Sequence, residues 1–369
     1  MGRTDLKKLA MSLLMTAVLG GAYLSFWPVP VSPVTWSPPQ NKYFTGEFAP
    51  NDKLSNLQRI TLGGSHGPED AVLWQEKIYT VSQEGNIIGI DPDTQAATIL
   101  THTGGVPLGI EVNPADNHLI VADAYKGLLS ISPSGTVTVL TDHVNDTPIL
   151  YADDVDIADD GVIYFSDAST KFGAQAYGGT LKASLLELME HGGTGRLLAY
   201  NPADTSTRII ANGFTFSNGV AMHPDSDVLV LETGTYSLHK INPQTSIRKT
   251  MLSNLPGFPD NINRGPRLEN GKASFFIGLI SPRSDWLDDN ADNIGIRKFA
   301  MRLPPSMRPK AVPYLHIVHI DEDGQILATY QDPKGAYHDA TGAIVANGYI
   351  YVTSLTETAL ARHIWPIGD

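Results

Sequence analysis

Short apolar strands separated by polar turns dominate the chain from residue 57 onward. Their apolar runs lie at 77–100, 118–140, 162–210 and 228–252, with more widely spaced runs at 274–320 and a last one at 349–353. Four strands in each unit, repeated at roughly 40 to 60 residues, are typical of propeller blades. The pattern therefore predicts an all-β fold, a six-bladed β-propeller.

The ends of such a ring must pair, because an open propeller would leave two unprotected strand edges. The apolar run at 58–62 precedes the first repeat, and we predict that it forms the outer strand of the last one. Two insertions interrupt the repeats, one at 181–191 with apolar residues at helical spacing and one at 290–309 rich in Asp, Arg and Pro. The sequence leaves open whether they cover the channel mouth as lids or are surface loops without a role.

A stretch without charged residues, at 9–27, follows the basic residues Arg3, Lys7 and Lys8. About 20 apolar residues are enough to cross a bilayer as one helix. The basic flank predicts a cytoplasmic N-terminus and a propeller on the other side of the membrane, the periplasm in a bacterium. A cleaved signal peptide is the alternative and would make the protein secreted, but no Ala-x-Ala site follows the long apolar stretch.

The uncharged stretch, the Pro-rich stretch and the repeats give the domain organisation. We predict a cytoplasmic tip and membrane anchor at 1–27, a stiff Pro-rich spacer at 28–56 and the propeller at 57–369. A net charge of -13 without a basic stripe argues against a nucleic-acid partner. The absence of cysteine from the sequence excludes thiolate catalysis, Cys-ligated zinc and disulfides.

Candidate metal ligands stand in the polar turns that lead into the first strand of several repeats. Glu69, Asp153, Asn218 and Asp260 occupy equivalent positions, so a closed ring brings them together at its axis. Three carboxylates and an amide in one place repel each other unless a cation neutralises them, and an all-oxygen set suits a hard ion such as Ca²⁺ or another divalent cation. A single Asp or Asn in a turn would be ordinary backbone hydrogen bonding, but four at equivalent positions favour a metal site.

Other polar residues have more ordinary interpretations. Asp123 and Asp167 follow apolar strands and are expected to cap strand ends or orient neighbouring groups. His66 and His338 lie on turns near the predicted channel mouth, where proton transfer and a simple surface position are both open. The segment 63–67 matches the Gly-x-Ser-x-Gly pattern of serine hydrolases, but a proline and a strand follow where that motif needs a helix.

Longer motifs carry a family resemblance. The chain has Tyr-Ala-Asp-Asp-Val-Asp at 151–156, Phe-Ser-Asn-Gly-Val-Ala at 216–221 and Leu-Pro-Gly-Phe-Pro-Asp-Asn-Ile at 255–262. These resemble the strictosidine synthase-like family over nearly the whole chain after the spacer. The superfamily includes gluconolactonases and paraoxonases, which implies a six-bladed propeller with an axial calcium ion held by Glu, Asn and Asp.

The resemblance implies which residues bind the metal ion, and it also shows where this sequence departs from the family pattern. Glu69, Asn218 and Asp260 match the family ligands, whereas Asp153 stands where Asn is usual and adds a charge. The glutamate on which strictosidine synthases depend falls at Thr341, and the paraoxonase-type histidine is replaced by Leu108. The first of these replacements disfavours synthase chemistry.

The resulting hypothesis is a hydrolase of a small-molecule lactone or ester in which an axial cation polarises the carbonyl. Asp260 is the candidate for aligning or deprotonating water, with Glu69 and Asn218 as ligands and Asp153 positioning substrate or water. The alternatives are a ligand-binding propeller without catalysis, in which the ion is structural, and a synthase-type condensing enzyme. The membrane is expected as a partner through the N-terminal helix, and the sequence leaves the oligomeric state open.

Overall fold

A computed structural model describes residues 3–368 and confirms the predicted six-bladed β-propeller. Met1, Gly2 and Asp369, which belong to the predicted first and last domains, lie outside the described residues. The innermost strands of neighbouring blades contact one another in cyclic order, from blade 1 to blade 6 and back to blade 1. The ring is therefore closed around a central axis.

Each blade is an antiparallel sheet of four strands, numbered from the innermost strand outward. Blade 1 is Ala71–Trp74, Lys77–Val81, Asn86–Ile90 and Ala97–His102. Blade 2 is Pro107–Asn113, His118–Asp123, Gly127–Ile131 and Val137–Thr141. Blade 3 is Ala152–Ile157, Ile163–Asp167, Gly195–Asn201 and Ser206–Phe214.

The second half of the ring repeats this order and ends with the closing strand. Blade 4 is Ser217–Met222, Val228–Glu232, Ser237–Ile241 and Arg248–Leu252. Blade 5 is Gly257–Arg264, Ser274–Pro282, Leu315–Asp321 and Ile326–Asp332. Blade 6 is Ala340–Ala346, Tyr349–Ser354, Ala359–Ile364 and, outermost, Gln58–Thr61. The pairing of Ile60 with Leu360 confirms that the N-terminal strand closes the last blade.

Burial explains why the strands differ in sequence. The middle strand Val228–Glu232 is buried along its whole length, because blades cover both of its faces, and it is a continuous apolar run up to its last residue. The outer strand Arg248–Leu252 has no fully buried residue and is correspondingly polar at its start. Side chains such as Ile120, Phe165 and Leu198 pack between adjacent blades and form the core.

Four helices lie outside the blades: α1 (Arg3–Phe26), α2 (Thr180–Glu190), α3 (Asp285–Asp289) and α4 (Ile294–Arg302). The first precedes the propeller, α2 connects the second and third strands of blade 3, and α3 and α4 make the same connection in blade 5. Short 3₁₀ turns lie at Gly46–Phe48, Thr233–Thr235 and Pro305–Met307, and a small hairpin pairs His143–Val144 with Thr147–Pro148.

The N-terminal helix α1 contains a segment, Thr4–Phe26, with a mean hydropathy of 1.7, and none of its most apolar window is buried against the protein. It is long and apolar enough to cross a membrane or to act as a signal sequence.

The Pro-rich segment 28–56 lies along the surface of the propeller. Val31 and Leu54 are buried, and the backbone N–H of Val34 donates to the carbonyl of Glu190 at 2.8 Å. The ring of Trp36 stacks on that of His191 with 3.9 Å between the centroids. These contacts hold the segment after α1 against the end of α2, and α1 itself contacts α4.

Candidate metal centre

A cavity of 450 Å³ opens at the end of the ring where the innermost strands begin. Glu69 of blade 1, Asp153 of blade 3, Asn218 of blade 4 and Asp260 of blade 5 all line it. All four side chains are almost fully buried, with at most 6% of any of them exposed. All four residues that the sequence proposed for the site therefore line one cavity.

Close contact between innermost strands holds these residues at the axis. A β-carbon on Gly219 would lie 2.6 Å from the backbone nitrogen of Ile262 and 2.7 Å from the carbonyl oxygen of Asp260. Only glycine permits this approach, since heavy atoms cannot come so near. Because Gly219 follows Asn218 directly, the contact places Asn218 beside Asp260.

The carboxyl groups at the axis resist ionisation. Burial, together with the charges of Asp260 and Asp153, raises the pKa of Glu69 well above its ordinary value. Burial and the charges of Asp260 and Asp167 likewise raise the pKa of Asp153. Burial raises the pKa of Asp260 to about 7, although contacts with Asn218 and Glu69 lower it in part. The cluster is therefore short of positive charge.

Unpartnered oxygens in the cluster test whether its residues fit a cation. Within residues 3–368, Glu69 Oε2 and Asn218 Oδ1 are buried and accept no hydrogen bond. Buried acceptors without a donor are costly, and oxygen donors with surplus negative charge are the ligands that hard divalent cations take. The residues present fit such an ion. The described part of the chain does not, however, bring three or more His, Asp or Glu side chains into a preformed metal cluster.

A second layer of carboxylates ties the blades together beneath the site. Asp70 Oδ2 accepts from the backbone N–H of Ile110 at 2.9 Å, which joins blade 1 to blade 2. Asp154 Oδ2 accepts from the N–H of Val220 at 2.7 Å, which joins blade 3 to blade 4. Each follows a cavity residue in sequence. These bonds explain the acidic pairs as one residue facing the cavity and one facing the neighbouring blade.

The walls of the cavity come largely from apolar side chains. Helix α2 contributes Leu181, Leu185 and Leu188, so the first insertion forms part of the wall. From the second insertion only Pro309 lines the cavity, but the adjoining residues 280–287 and 310–312 extend the same wall. The cavity thus has mostly apolar walls and an acidic base, which we call the floor and which is formed by Glu69, Asp153, Asn218 and Asp260.

The other candidate residues lie apart from the floor. Asp167 accepts from the N–H of Tyr151 at 2.9 Å and from Arg196 Nε at 2.8 Å, and Asp123 accepts from the N–H of Val106 at 3.0 Å, so both cap strand ends as expected. His66 pairs with Glu84 on the surface. After Gly67 comes the strand Ala71–Trp74 and not the helix of a nucleophile elbow.

Two polar residues near the candidate ligands, Asp339 and Asn261, were not among the residues predicted from the sequence. Asp339 lines the cavity, and its charge raises the pKa of Asp260. Asn261 is fully buried, donates from Nδ2 to the carbonyl of Glu69 at 3.2 Å and leaves its Oδ1 without a partner among the residues described. The signal for Asp339 was its position at the start of blade 6, two residues before Thr341.

Two family models match the chain: strictosidine synthase over residues 153–246, and the N-terminal region of strictosidine synthase-like proteins over residues 46–90. Protein strictosidine synthase-like 6 of Arabidopsis thaliana is 30% identical over 318 residues, which cover 84% of this chain and 82% of that protein. The chain belongs to the strictosidine synthase-like family. Another relative, adipocyte plasma membrane-associated protein of Salmo salar, is 28% identical over 366 residues, covering 90% of this chain and 84% of the relative.

Solved structures share the fold of this strictosidine synthase-like protein. A gluconolactonase from Xanthomonas campestris superposes with a TM-score of 0.58 at 15% identity, covering 84% of this chain and 90% of that one. The calcium-binding protein regucalcin from Agrobacterium tumefaciens superposes with a TM-score of 0.53 at 11% identity, covering 81% and 92%. At these identities the likeness shows the propeller fold.

Proposed function

We propose that the protein hydrolyses a lactone or an ester with a divalent cation, Ca²⁺ in the first instance, held by Glu69, Asp153, Asn218 and Asp260. One observation carries the proposal: oxygen side chains from four blades face one cavity, and Glu69 Oε2 and Asn218 Oδ1 are buried there without a hydrogen-bond donor among the described residues. When bound, the cation supplies charge that polarises a substrate carbonyl and stabilises the developing oxyanion.

The protein's own side chains would provide the rest of the chemistry. Asp260 accepts a proton from an attacking water and returns it to the leaving oxygen. Asp153, which also lines the cavity, orients the water or the substrate. Leu181 and Leu185 of α2 line the cavity and favour a substrate with an apolar body.

The comparisons support this proposal at the level of fold. A gluconolactonase acts on a lactone, and regucalcin is named as a calcium-binding protein; both share the propeller with this chain. The family name by itself would suggest a synthase-type condensation. Thr341 argues against it, because this fully buried hydroxyl donates to the carbonyl of Glu69 and contacts Thr353 at 2.8 Å, and it presents no carboxylate to the cavity.

A ligand-binding propeller without catalysis is the second candidate. The observation that favours it is the mostly apolar wall, together with the lack of a preformed cluster of three acidic or His side chains among residues 3–368. In that case the ion is structural and the cavity holds a small molecule unchanged.

A panel of lactones and aryl esters, assayed with and without a chelator, separates the two candidates. The hydrolase proposal predicts turnover of at least one class, loss of turnover in chelator and recovery when calcium is added back. Turnover that a chelator leaves unchanged would refute the metal mechanism. Binding of lactones or esters without any turnover would favour the second candidate.

We also propose that α1 stays uncleaved and anchors the propeller on the non-cytoplasmic side of the membrane. Lys7 and Lys8 at its start and the apolar span Thr4–Phe26 support this orientation. A phosphatase fused to the C-terminus should be active, because that enzyme works only outside the cytoplasm. Activity of a cytoplasm-specific reporter at the same position, or a mature chain beginning near Phe26, would contradict the proposal.

A further inference from the structure

The surface formed by residues 294–312, which we call the α4 surface, combines two properties. It exposes large apolar side chains, namely Phe299 on α4, with 43% of its surface accessible, and Met307 and Val312 in the loop that follows. Inward-facing Arg297 and Ala300 are buried, so α4 is firmly seated and its outer face is left without a covering element in the described structure.

Charge is the second property of this surface. From residue 294 to residue 320 the sequence has no Asp or Glu, in a chain with a net charge of -13. The segment holds five cations, of which Arg297 is buried and four remain at the surface: Lys298, Arg302, Arg308 and Lys310. Within residues 3–368, Lys298 and Lys310 form no ion pair with a carboxylate. The surface is thus a basic and apolar patch on an acidic protein.

The α4 surface adjoins the end of the membrane-spanning candidate. Arg302 Nε donates to the carbonyl of Trp27 at 2.7 Å, and its Nη1 donates to the carbonyl of Leu24 at 3.2 Å. Arg297 Nη2 donates to the carbonyl of Val34 at 2.6 Å, which ties α4 to the chain that follows α1. Where α1 leaves a bilayer, the α4 surface must therefore lie next to the headgroups.

We infer that the α4 surface docks on the anionic lipid headgroups of the bilayer that α1 enters, with Phe299, Met307 and Val312 inserted among them. Exposed apolar side chains flanked by Lys and Arg are the composition that binds anionic interfaces. Continuity with α1 and the opposite charge of such lipids both favour this occupant over a second copy of an acidic chain. Since Lys310 and Val312 also line the cavity, docking would hold the cavity mouth at the membrane.

Nitroxide labels on the full-length chain test the contact directly, because the sequence has no cysteine and single-cysteine variants need no background changes. Met307→Cys places a label on the α4 surface. Ile247→Cys is the matched control, since both side chains are 66% exposed and residue 247 lies in the turn between the third and fourth strands of blade 4, at the opposite end of the ring.

In vesicles of phosphatidylglycerol and phosphatidylcholine in equal parts, the label at 307 should lose accessibility to a water-soluble nickel chelate and gain accessibility to oxygen. The label at 247 should remain open to the chelate. Equal chelate accessibility at the two positions would overturn the inference. So would dipolar broadening between labels at 307 on different chains, which would show a second copy on this surface.

A second experiment tests whether the positive charges of the α4 surface contribute to docking. The pair Lys298→Gln and Lys310→Gln should restore chelate accessibility at position 307, whereas the control pair Lys77→Gln and Lys249→Gln, remote from the surface, should not. Vesicles of phosphatidylcholine alone should protect the label less. If neither the Lys298→Gln and Lys310→Gln pair nor neutral lipid reduces the protection of the label at 307, the assignment to anionic headgroups is wrong. Anchoring by α1 is common to all these samples and does not affect the comparison.

Discussion

Adjacent carboxylates in this protein face different parts of the molecule. Glu69 and Asp153 line the cavity, whereas Asp70 and Asp154, one residue further along, accept backbone N–H groups of the neighbouring blades. Successive side chains of an extended chain point in opposite directions, which accounts for the division. The sequence identified the cavity members through their equivalent positions in the repeats.

Asp260→Asn tests the proposed general base. The amide retains an oxygen for the ion and much of the shape of the floor, but it cannot accept the proton, so turnover should fall about 100-fold or more. The measurement is kcat for the best substrate of the panel at saturating calcium. Asp93→Asn, in an exposed turn, is the control and should leave kcat unchanged. Wild-type kcat in Asp260→Asn would show that another group takes the proton.

Glu69→Gln tests charge compensation as distinct from proton transfer. Removing one negative charge from the cluster should weaken calcium binding at least about tenfold, a change of roughly 1.4 kcal/mol, and the loss of activity should be partly recovered at high calcium. Titration calorimetry and the calcium dependence of kcat measure the two effects. A variant with normal calcium affinity but no activity would instead make Glu69 a catalytic group.

At the scale of strands and helices, the sequence predicted what depends on local pattern. Strand starts and the closing strand at 58–62 followed from apolar runs and turn residues, and the structure confirms them. The role of Asp339 did not follow, because it depends on where the turn before blade 6 lies relative to blade 5. The path of the Pro-rich segment was equally hidden, since Val31 and Leu54 are buried by residues distant in sequence.

Gly219→Ala tests the close approach of blades 4 and 5. An added β-carbon 2.6 Å from Ile262 N must push the strands apart, so the variant should lose about 1–3 kcal/mol of unfolding free energy and bind calcium more weakly. Denaturant unfolding and calcium titration measure both changes. Gly295→Ala is the control, because its β-carbon meets nothing closer than 3.5 Å and alanine favours a helix. Equal stability of the two variants would contradict the strand packing described.

At the scale of the whole molecule, the buried acids make stability depend on pH. Burial raises the pKa of Asp260 to about 7 and, with neighbouring charges, raises that of Glu69 well above its ordinary value. Both carboxyl groups have a higher pKa in the folded protein than in the unfolded one, so the folded protein binds more protons between roughly pH 4 and pH 7. The free energy of unfolding therefore falls as the pH rises through that range.

The melting temperature of chelator-treated protein should therefore fall as the pH is raised from about 5 to about 8. Calcium should reduce or reverse the fall, because the ionised carboxylates are its ligands. Asp260→Asn removes one of the titrating groups and should flatten the profile. If the melting temperature of the metal-free protein instead rises over this range, the carboxyl groups of the cluster ionise without a large free-energy cost.

The proposed hydrolysis requires that the axial cluster hold a cation, and calcium titration of chelator-treated wild-type protein measures this directly. The predicted result is one ion bound per chain with a rise in melting temperature, since ligand at 100 times its dissociation constant stabilises the folded state by about 2.7 kcal/mol. Absence of both binding and thermal shift with calcium and with other divalent cations would contradict the metal centre and the hydrolysis proposed on it.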